Sequence, residues 1–257
     1  MSLIASYINK FGIVLASDSN LSRSHGNAGF GQKIFPIQHL NAGLAYSGSY
    51  EIDGKTVDQW MSEFIAGSFF INSTISEFVT SLSDELSRVM RDDDFDQGNI
   101  IHVAGYSQSD GTSSLEHWHI SNMGLQPDGL YSPPVRRFHY SNDFNSKTVQ
   151  RDREILIMLD QDSINNQFYI NGYPPGRISA MTLKSILERV FLDIWSNQNW
   201  LFKKPSNLFE SSSIVKICYY LVAELFKMSD HNALFIGGET QTYLIAVPQN
   251  LDKSNWA

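Results

Sequence analysis

"MSLIASYINKFGIVLASDS", residues 1–19, is the stretch whose reading decides how this chain folds. Ile, Leu, Val and Tyr crowd positions 3–9 and 12–17, with Asn and Gly at the break between them, so both runs read as strands. A strand that begins so early implies that the leading end is built into the fold, whereas chain ends ordinarily fray. Two more strands are expected at 33–38 (KIFPIQ) and 42–47 (AGLAYS).

Beyond these strands the hydrophobic period changes. Trp60, Met61, Phe64 and Ile65, then Ile75, Phe78, Val79, Leu82, Leu86, Val89 and Met90, recur at the three- and four-residue spacing of amphipathic helices. The two helices separate near "NSTIS", where Ser73 or Thr74 is the N-cap candidate for the second. Strand chemistry returns at 99–106 (NIIHVAGY) and 114–121 (SLEHWHIS), expected to form a hairpin through "SQSDGT". Further strands are expected at 153–159 and 167–170, helices at 179–196 and 211–228, and a last strand pair at 233–237 and 241–247 turned through "GGET". Segment 122–152 carries turn chemistry and little periodicity. The connection 197–210 is long for a helix linker, and its Trp200, Leu201, Phe202 and Phe209 read as a packed loop or a contact surface.

The order is therefore strands, two helices, strands, two helices, strands, with no internal repeat and no dividing linker. Residues 1–257 read as one domain. Segregated blocks disfavour a regular parallel α/β alternation. Each helix pair must cover a sheet face and each sheet must bury its second face. The expected fold class is α+β, a four-layer α-β-β-α sandwich of two mainly antiparallel sheets between helix layers.

Composition bounds the function. With 257 residues, 42% of them hydrophobic and 12% aromatic, the chain can bury a core without disulfide or metal staples. A formal net charge of -8 lacks the basic surplus that nucleic-acid affinity requires, so no nucleic-acid partner is expected. The sequence has no apolar run of about 18 residues, no basic-then-apolar leader and no lipidation motif, so no membrane partner and a cytoplasmic location are expected. Cys218 has no second cysteine to pair with and sits in "SIVKICYYLVAELF", where it reads as a small packed hydrophobe.

"GIVLASDS" (12–19), "QKIFPI" (32–37) and "GLAYSGS" (43–49) together resemble the opening of a proteasome β-type subunit, bacterial and proteasome-like, within the N-terminal nucleophile hydrolases. Motif-level similarity covers residues 2–50, and the remainder resembles that family through element order. The resemblance implies a nucleophile at Ser2 after removal of Met1, an aspartate at Asp18, a lysine at Lys33 and, at Gly48, the backbone N–H that stabilises an oxyanion. It also implies that Asp230, with Ser229, helps orient the terminal amine. Asp18 and Lys33 stand one residue closer than the family pattern, a difference absorbed in the loop "LSRSHGNAGFG" (21–31). The family places a Ser-Gly-Ser or Gly-Ser-Gly motif before its third helix. Here "YINGYPPGRIS" (169–179) has Asn171 and Gly172 at that place, so this support is missing or shifted.

The chemistry of the set is coherent on physical grounds. A serine hydroxyl is a poor nucleophile until a base accepts its proton, and a terminal serine carries that base as its own α-amine, with an unperturbed pKa of about 7.7–8.0. A nearby lysine lowers the amine's pKa by like-charge repulsion, and an aspartate holds the lysine in place. The function expected is a peptidase or amide hydrolase without cofactor or metal, acting on a peptide or amide substrate. The resemblance implies a ring-like homo-oligomer, served by a separate ATP-dependent unfoldase. The alternatives are an idle proteasome-like subunit kept for assembly or interaction and a small-molecule amidase of the same superfamily. Other motifs carry less: His117 and His119 share a strand face and read as ordinary strand histidines, Arg91 to Asp96 (RDDDFD) as a solvated helix end, and "GNAGFG" (26–31) as flexible chain beside Lys33.

Overall fold

The computed structural model describes residues 3–23, 26–68, 73–90, 98–123, 135–142, 167–172, 205–227 and 238–251. Strands β1 (Leu3–Asn9) and β2 (Gly12–Asp18) form an antiparallel hairpin in which every strand residue is buried. Successive side chains alternate between faces. Ile4, Ile8, Ile13 and Leu15 therefore join one core cluster and Leu3, Ala5, Tyr7, Val14 and Ala16 another, and both faces need cover. A short ribbon follows, β3 (Asn20–Arg23) with β4 (Gly26–Phe30), bulged between Leu21 and Ser22. Then come β5 (Ile34–Ile37), β6 (Ala42–Ser47), a second ribbon of β7 (Glu51–Ile52) and β8 (Lys55–Thr56), and helices α1 (Val57–Ser68) and α2 (Ile75–Val89). The long hairpin β9 (Ile100–Ser109) and β10 (Thr112–Ser121) turns at Asp110 and Gly111, whose φ of 51° and 76° make the tight turn that matches strand twist. The remaining elements are β11 (His139–Asn142), β12 (Gln167–Gly172), helix α3 (Leu208–Lys227) and β13 (Thr240–Ala246).

The strands assemble into one sheet of order β12-β1-β2-β13 and another of order β11-β10-β9-β6-β5, and every strand pairing within them is antiparallel. Among the described residues this is a mixed α/β protein of antiparallel sheets and three helices. The two sheets meet through Ile4, Ile8, Ile13 and Leu15 of the first and Ile34, Ala45, Ile100, Ala104 and Tyr106 of the second. Helix α3 packs on β2 and β13, joining Val215, Cys218 and Tyr219 to Leu3, Ala5, Tyr7, Val14 and Ala16. Helix α2 packs on β9, β10 and β11 through Ile75, Phe78, Val79, Leu82 and Leu86. Each such large apolar side chain, once fully buried, contributes roughly 1.5–3 kcal/mol relative to exposure.

Thr74 is the cap of α2. Its side chain accepts the Glu77 N–H at 3.1 Å while the Glu77 carboxylate accepts the Thr74 N–H at 3.2 Å, closing a capping box. No helix among the described residues is long and apolar enough to cross a membrane.

Several expectations shift. "GNAGFG" is not simply flexible chain, because Gly26–Phe30 is strand β4 paired with β3. Segment 122–152 contains β11, paired with β10 from Trp118 to Ser121. Strand β5 starts at Ile34, leaving Lys33 just ahead of it, and α3 starts at Leu208, so Phe209 stands on a helix, 76% exposed, instead of in a linker. The strands expected at 153–159 and 233–237, the helix at 179–196, the acidic run Arg91 to Asp96 and Trp200, Leu201 and Phe202 lie outside the described residues.

Candidate active site

The β1–β2 hairpin sets Asp18 beside Leu3, because its register pairs Ile4 with Ser17. Asp18 Oδ1 accepts the Leu3 N–H at 2.9 Å, and Asp18 Oδ2 accepts Lys33 Nζ at 3.2 Å. The two charged side chains are only 3% and 2% exposed. Loss of hydration pushes the Asp18 carboxyl above its ordinary value, against the pull of Lys33 and of the Leu3 N–H. The same loss pushes the Lys33 ammonium down, against the pull of Asp18. Paired with Asp18, Lys33 places a buried cation near the start of β1, where it favours the neutral form of a neighbouring amine.

Lys33 is positioned by elements distant in sequence. Its N–H donates to Gln241 Oε1 on β13 at 2.8 Å, and Gln241 Nε2 donates to the Gly31 carbonyl at 2.7 Å. The Lys33 carbonyl accepts the Tyr46 N–H of β6 at 2.9 Å. Ser19 steadies the same edge: its carbonyl accepts the Gly31 N–H at 3.0 Å and its hydroxyl the Glu239 N–H at 2.9 Å. Thus the backbone that carries Lys33 is clamped between the two sheets.

Gly48 follows β6 directly, two positions beyond the residue that pairs with Lys33. Its turn leans on Asn99, whose Oδ1 accepts the Ser49 N–H at 2.9 Å and a hydrogen bond from Tyr46 Oη. Tyr46 Oη also lies 3.0 Å from the Ser49 carbonyl. A Cβ at position 48 would stand 2.0 Å from Asn99 Oδ1 and 2.8 Å from Tyr46 Oη, so close approach of these groups demands glycine.

Of the residues singled out in the sequence, Asp18 and Lys33 are in contact, and Gly48 directly follows the strand that pairs beside Lys33. Ser2 and Asp230 lie outside the described residues. Asn171 and Gly172 are strand residues of β12 paired with Ile4 and Leu3, so the stretch that departs from the family motif runs alongside the start of β1. Sequence reasoning missed Tyr219, whose Oη lies 2.9 Å from the Ala16 carbonyl and 3.2 Å from the Leu3 carbonyl, tying α3 to both strand ends. Its hydroxyl is held well above the ordinary tyrosine value by burial first and by the Asp18 charge next. Asn99 and Gln241 were missed as well. None of the three belongs to a local motif, and the only sequence signal is a polar side chain at the edge of, or within, an apolar run.

His117 and His119 do share a face, and His102 of β9 joins them there, with ring centroids 4.9 Å and 6.0 Å away. His102 Nδ1 lies 3.0 Å from Ser6 Oγ across the gap between sheets. Burial pushes His117 down to about 3 and His102 well below its ordinary value, so both are neutral at physiological pH. Among the described residues no group of His, Cys, Asp and Glu is arranged to hold a metal ion. Cys218 is buried against β1 and β2, and burial pushes its thiol up to about 12, which suits a packed hydrophobe and not a nucleophile.

No protein-family model matches this chain, and no curated protein matches it.

Proposed function

We propose that the chain is a proteasome-like N-terminal nucleophile hydrolase that cleaves amide bonds with Ser2, after removal of Met1. The observation that carries this reading is the bifunctional Asp18 carboxylate, which binds the Leu3 N–H with one oxygen and Lys33 Nζ with the other. Asp18, with Lys33 tied to it, is thereby bound to the residue that follows the proposed nucleophile in sequence. Ser2 Oγ attacks the carbonyl carbon, and its proton passes to the α-amine, which Lys33 keeps neutral by repulsion. The Gly48 N–H stabilises the tetrahedral oxyanion. Collapse breaks the C–N bond as the amine returns the proton to the leaving nitrogen. Water then attacks the ester, and the carboxylate product leaves with Ser2 restored.

The finer architecture belongs to the same reading: one domain over 1–257, with α3 on one side of two facing antiparallel sheets and α1 and α2 on the other, as in a four-layer sandwich. A peptide or amide substrate, ring-like self-assembly and a separate ATP-dependent unfoldase complete it. The test begins with intact mass, to identify protein lacking Met1, followed by hydrolysis of acylated fluorogenic peptides and simple amides. Ser2→Ala should abolish hydrolysis with assembly unchanged; undiminished hydrolysis by that variant refutes the assignment.

A further inference from the structure

Asn99 stands immediately before β9 and is buried, 1% exposed. Its backbone is fixed on both sides: its N–H donates to Asn122 Oδ1 at 2.7 Å, and its carbonyl accepts Ser121 Oγ at 2.9 Å and the Asn122 N–H at 3.3 Å. Its side-chain oxygen accepts from the Ser49 N–H and Tyr46 Oη, and its carboxamide stands so close to Gly48 that a Cβ there would meet Oδ1 and Cγ. Its Nδ2 is buried and has no hydrogen-bond partner among the described residues. An amide donor left in that state is costly, since desolvation of an unmade hydrogen bond is not repaid. A carboxylate here would accept the same two hydrogen bonds without an orphaned donor, but it would bury a charge with no cation among its contacts. The amide supplies the acceptor without that charge, and beside the proposed oxyanion donor its neutrality has a second consequence: a negative charge against Gly48 would oppose the charge that develops on the substrate oxygen.

We propose that Asn99 is a positioning residue that sets the Ser47–Gly48–Ser49 turn for oxyanion stabilisation and does so as a neutral acceptor. The inference rests on the N-terminal-nucleophile reading of the site and adds to it a residue distant in sequence. Removal of the carboxamide loosens the turn that presents the Gly48 N–H. A misplacement of that kind costs on the order of 100-fold in rate, comparable with the 100- to 1,000-fold cost of losing an oxyanion donor.

The experiment uses an alkyl fluorophosphonate, which reports the site without knowledge of the substrate. Ser2 Oγ forms a bond to phosphorus, fluoride leaves, the hydroxyl proton passes to the α-amine, and the phosphoryl oxygen occupies the oxyanion position. Labelling of full-length protein lacking Met1 is followed by intact mass and peptide mapping. Asn99→Ala should slow labelling roughly 10- to 100-fold through the maximal rate with little change in reagent affinity. Asn99→Asp should label nearly as fast as wild type at a pH where its carboxyl is protonated. It should fall about 100-fold as that carboxyl ionises, a titration that wild type lacks. Leu86→Ala, on the far side of the second sheet, controls for lost stability and should label at the wild-type rate. If wild type labels at Ser2 while both Asn99 variants match it at every pH, the positioning role is overturned and the N-terminal-nucleophile reading survives. If wild type is not labelled at Ser2, or Ser2→Ala labels equally, that reading fails and takes the role of Asn99 with it.

Discussion

Lys33 and Asp18 form the buried ion pair on which the candidate site turns, and its energetics can be isolated. At 3.2 Å the attraction between unit charges is about 5 kcal/mol for an effective dielectric constant of about 20. Most of that attraction offsets the desolvation of two groups that are only 2% and 3% exposed, so the net worth of the pair is small. Removing one partner exposes the unpaid half. Lys33→Met leaves the Asp18 carboxyl with the Leu3 N–H but without its cation, and should cost about 3–5 kcal/mol at neutral pH; Asp18→Asn should cost about as much. The double variant leaves no buried charge at either position and should recover to within about 2 kcal/mol of wild type. Urea unfolding at constant m reads all four proteins.

The pair also sets a dependence on pH. Asp18 in Lys33→Met has a folded pKa raised further above its unfolded value of about 3.9, so its contribution favours the folded state below that value and is lost as pH rises through the folded pKa. The deficit of Lys33→Met against wild type should therefore narrow at acid pH. A loss of less than about 1 kcal/mol for Lys33→Met, or a double variant whose loss equals the sum of the singles, would refute the claim that these charges are buried and paired.

Two further predictions concern the fold. His117, with a folded value of about 3 against an unfolded value of about 6.5, binds fewer protons folded than unfolded across that window, so its contribution is complete above pH 6.5 and is lost as pH falls. His117→Leu should flatten the dependence of unfolding free energy on pH between about 4 and 6 by roughly 1.4 kcal/mol per pH unit, and an unchanged slope in urea titrations would count against its neutral burial. Thr74→Ala should destabilise the protein by about 1 kcal/mol through loss of the cap on α2, read as a shift in urea midpoint, while a Ser73→Ala change, which leaves the capping box intact, should cost less.

How much was legible depended on whether the cause of an element lay within the element. Helix α2 could be read because its buried residues recur at helical spacing and because its cap and the cap's partner stand three residues apart. Strands β1, β2 and β6 could be read because every one of their residues is buried and most are apolar or β-formers. The β3–β4 ribbon could not: Gly26, Asn27 and Gly29 oppose strand formation, and the ribbon exists because partner strands pair and Ser19 receives the Gly31 N–H. Strand β11, with the residues His-Tyr-Ser-Asn, carries no apolar alternation and is defined by its register with β10. At the site, Asp18 and Lys33 could be singled out through the resemblance carried by "GIVLASDS" and "QKIFPI", whereas Asn99, Gln241 and Tyr219 belong to no such motif.

By itself, then, the sequence determined the periodicity of α1 and α2, the early strands and the absence of a basic surplus, because each of these is written in composition or in neighbours a few residues apart, while Asp18, Lys33 and Gly48 were nominated by the family resemblance of residues 2–50. Tertiary structure alone decided that Lys33 is seated by Gln241, 208 positions away, and that the first strand is tied by Tyr219, 216 positions away. The physical reason is that a buried charge or backbone group must find its partner wherever the folded chain brings a donor or acceptor within about 3 Å, and distance along the sequence does not constrain that choice.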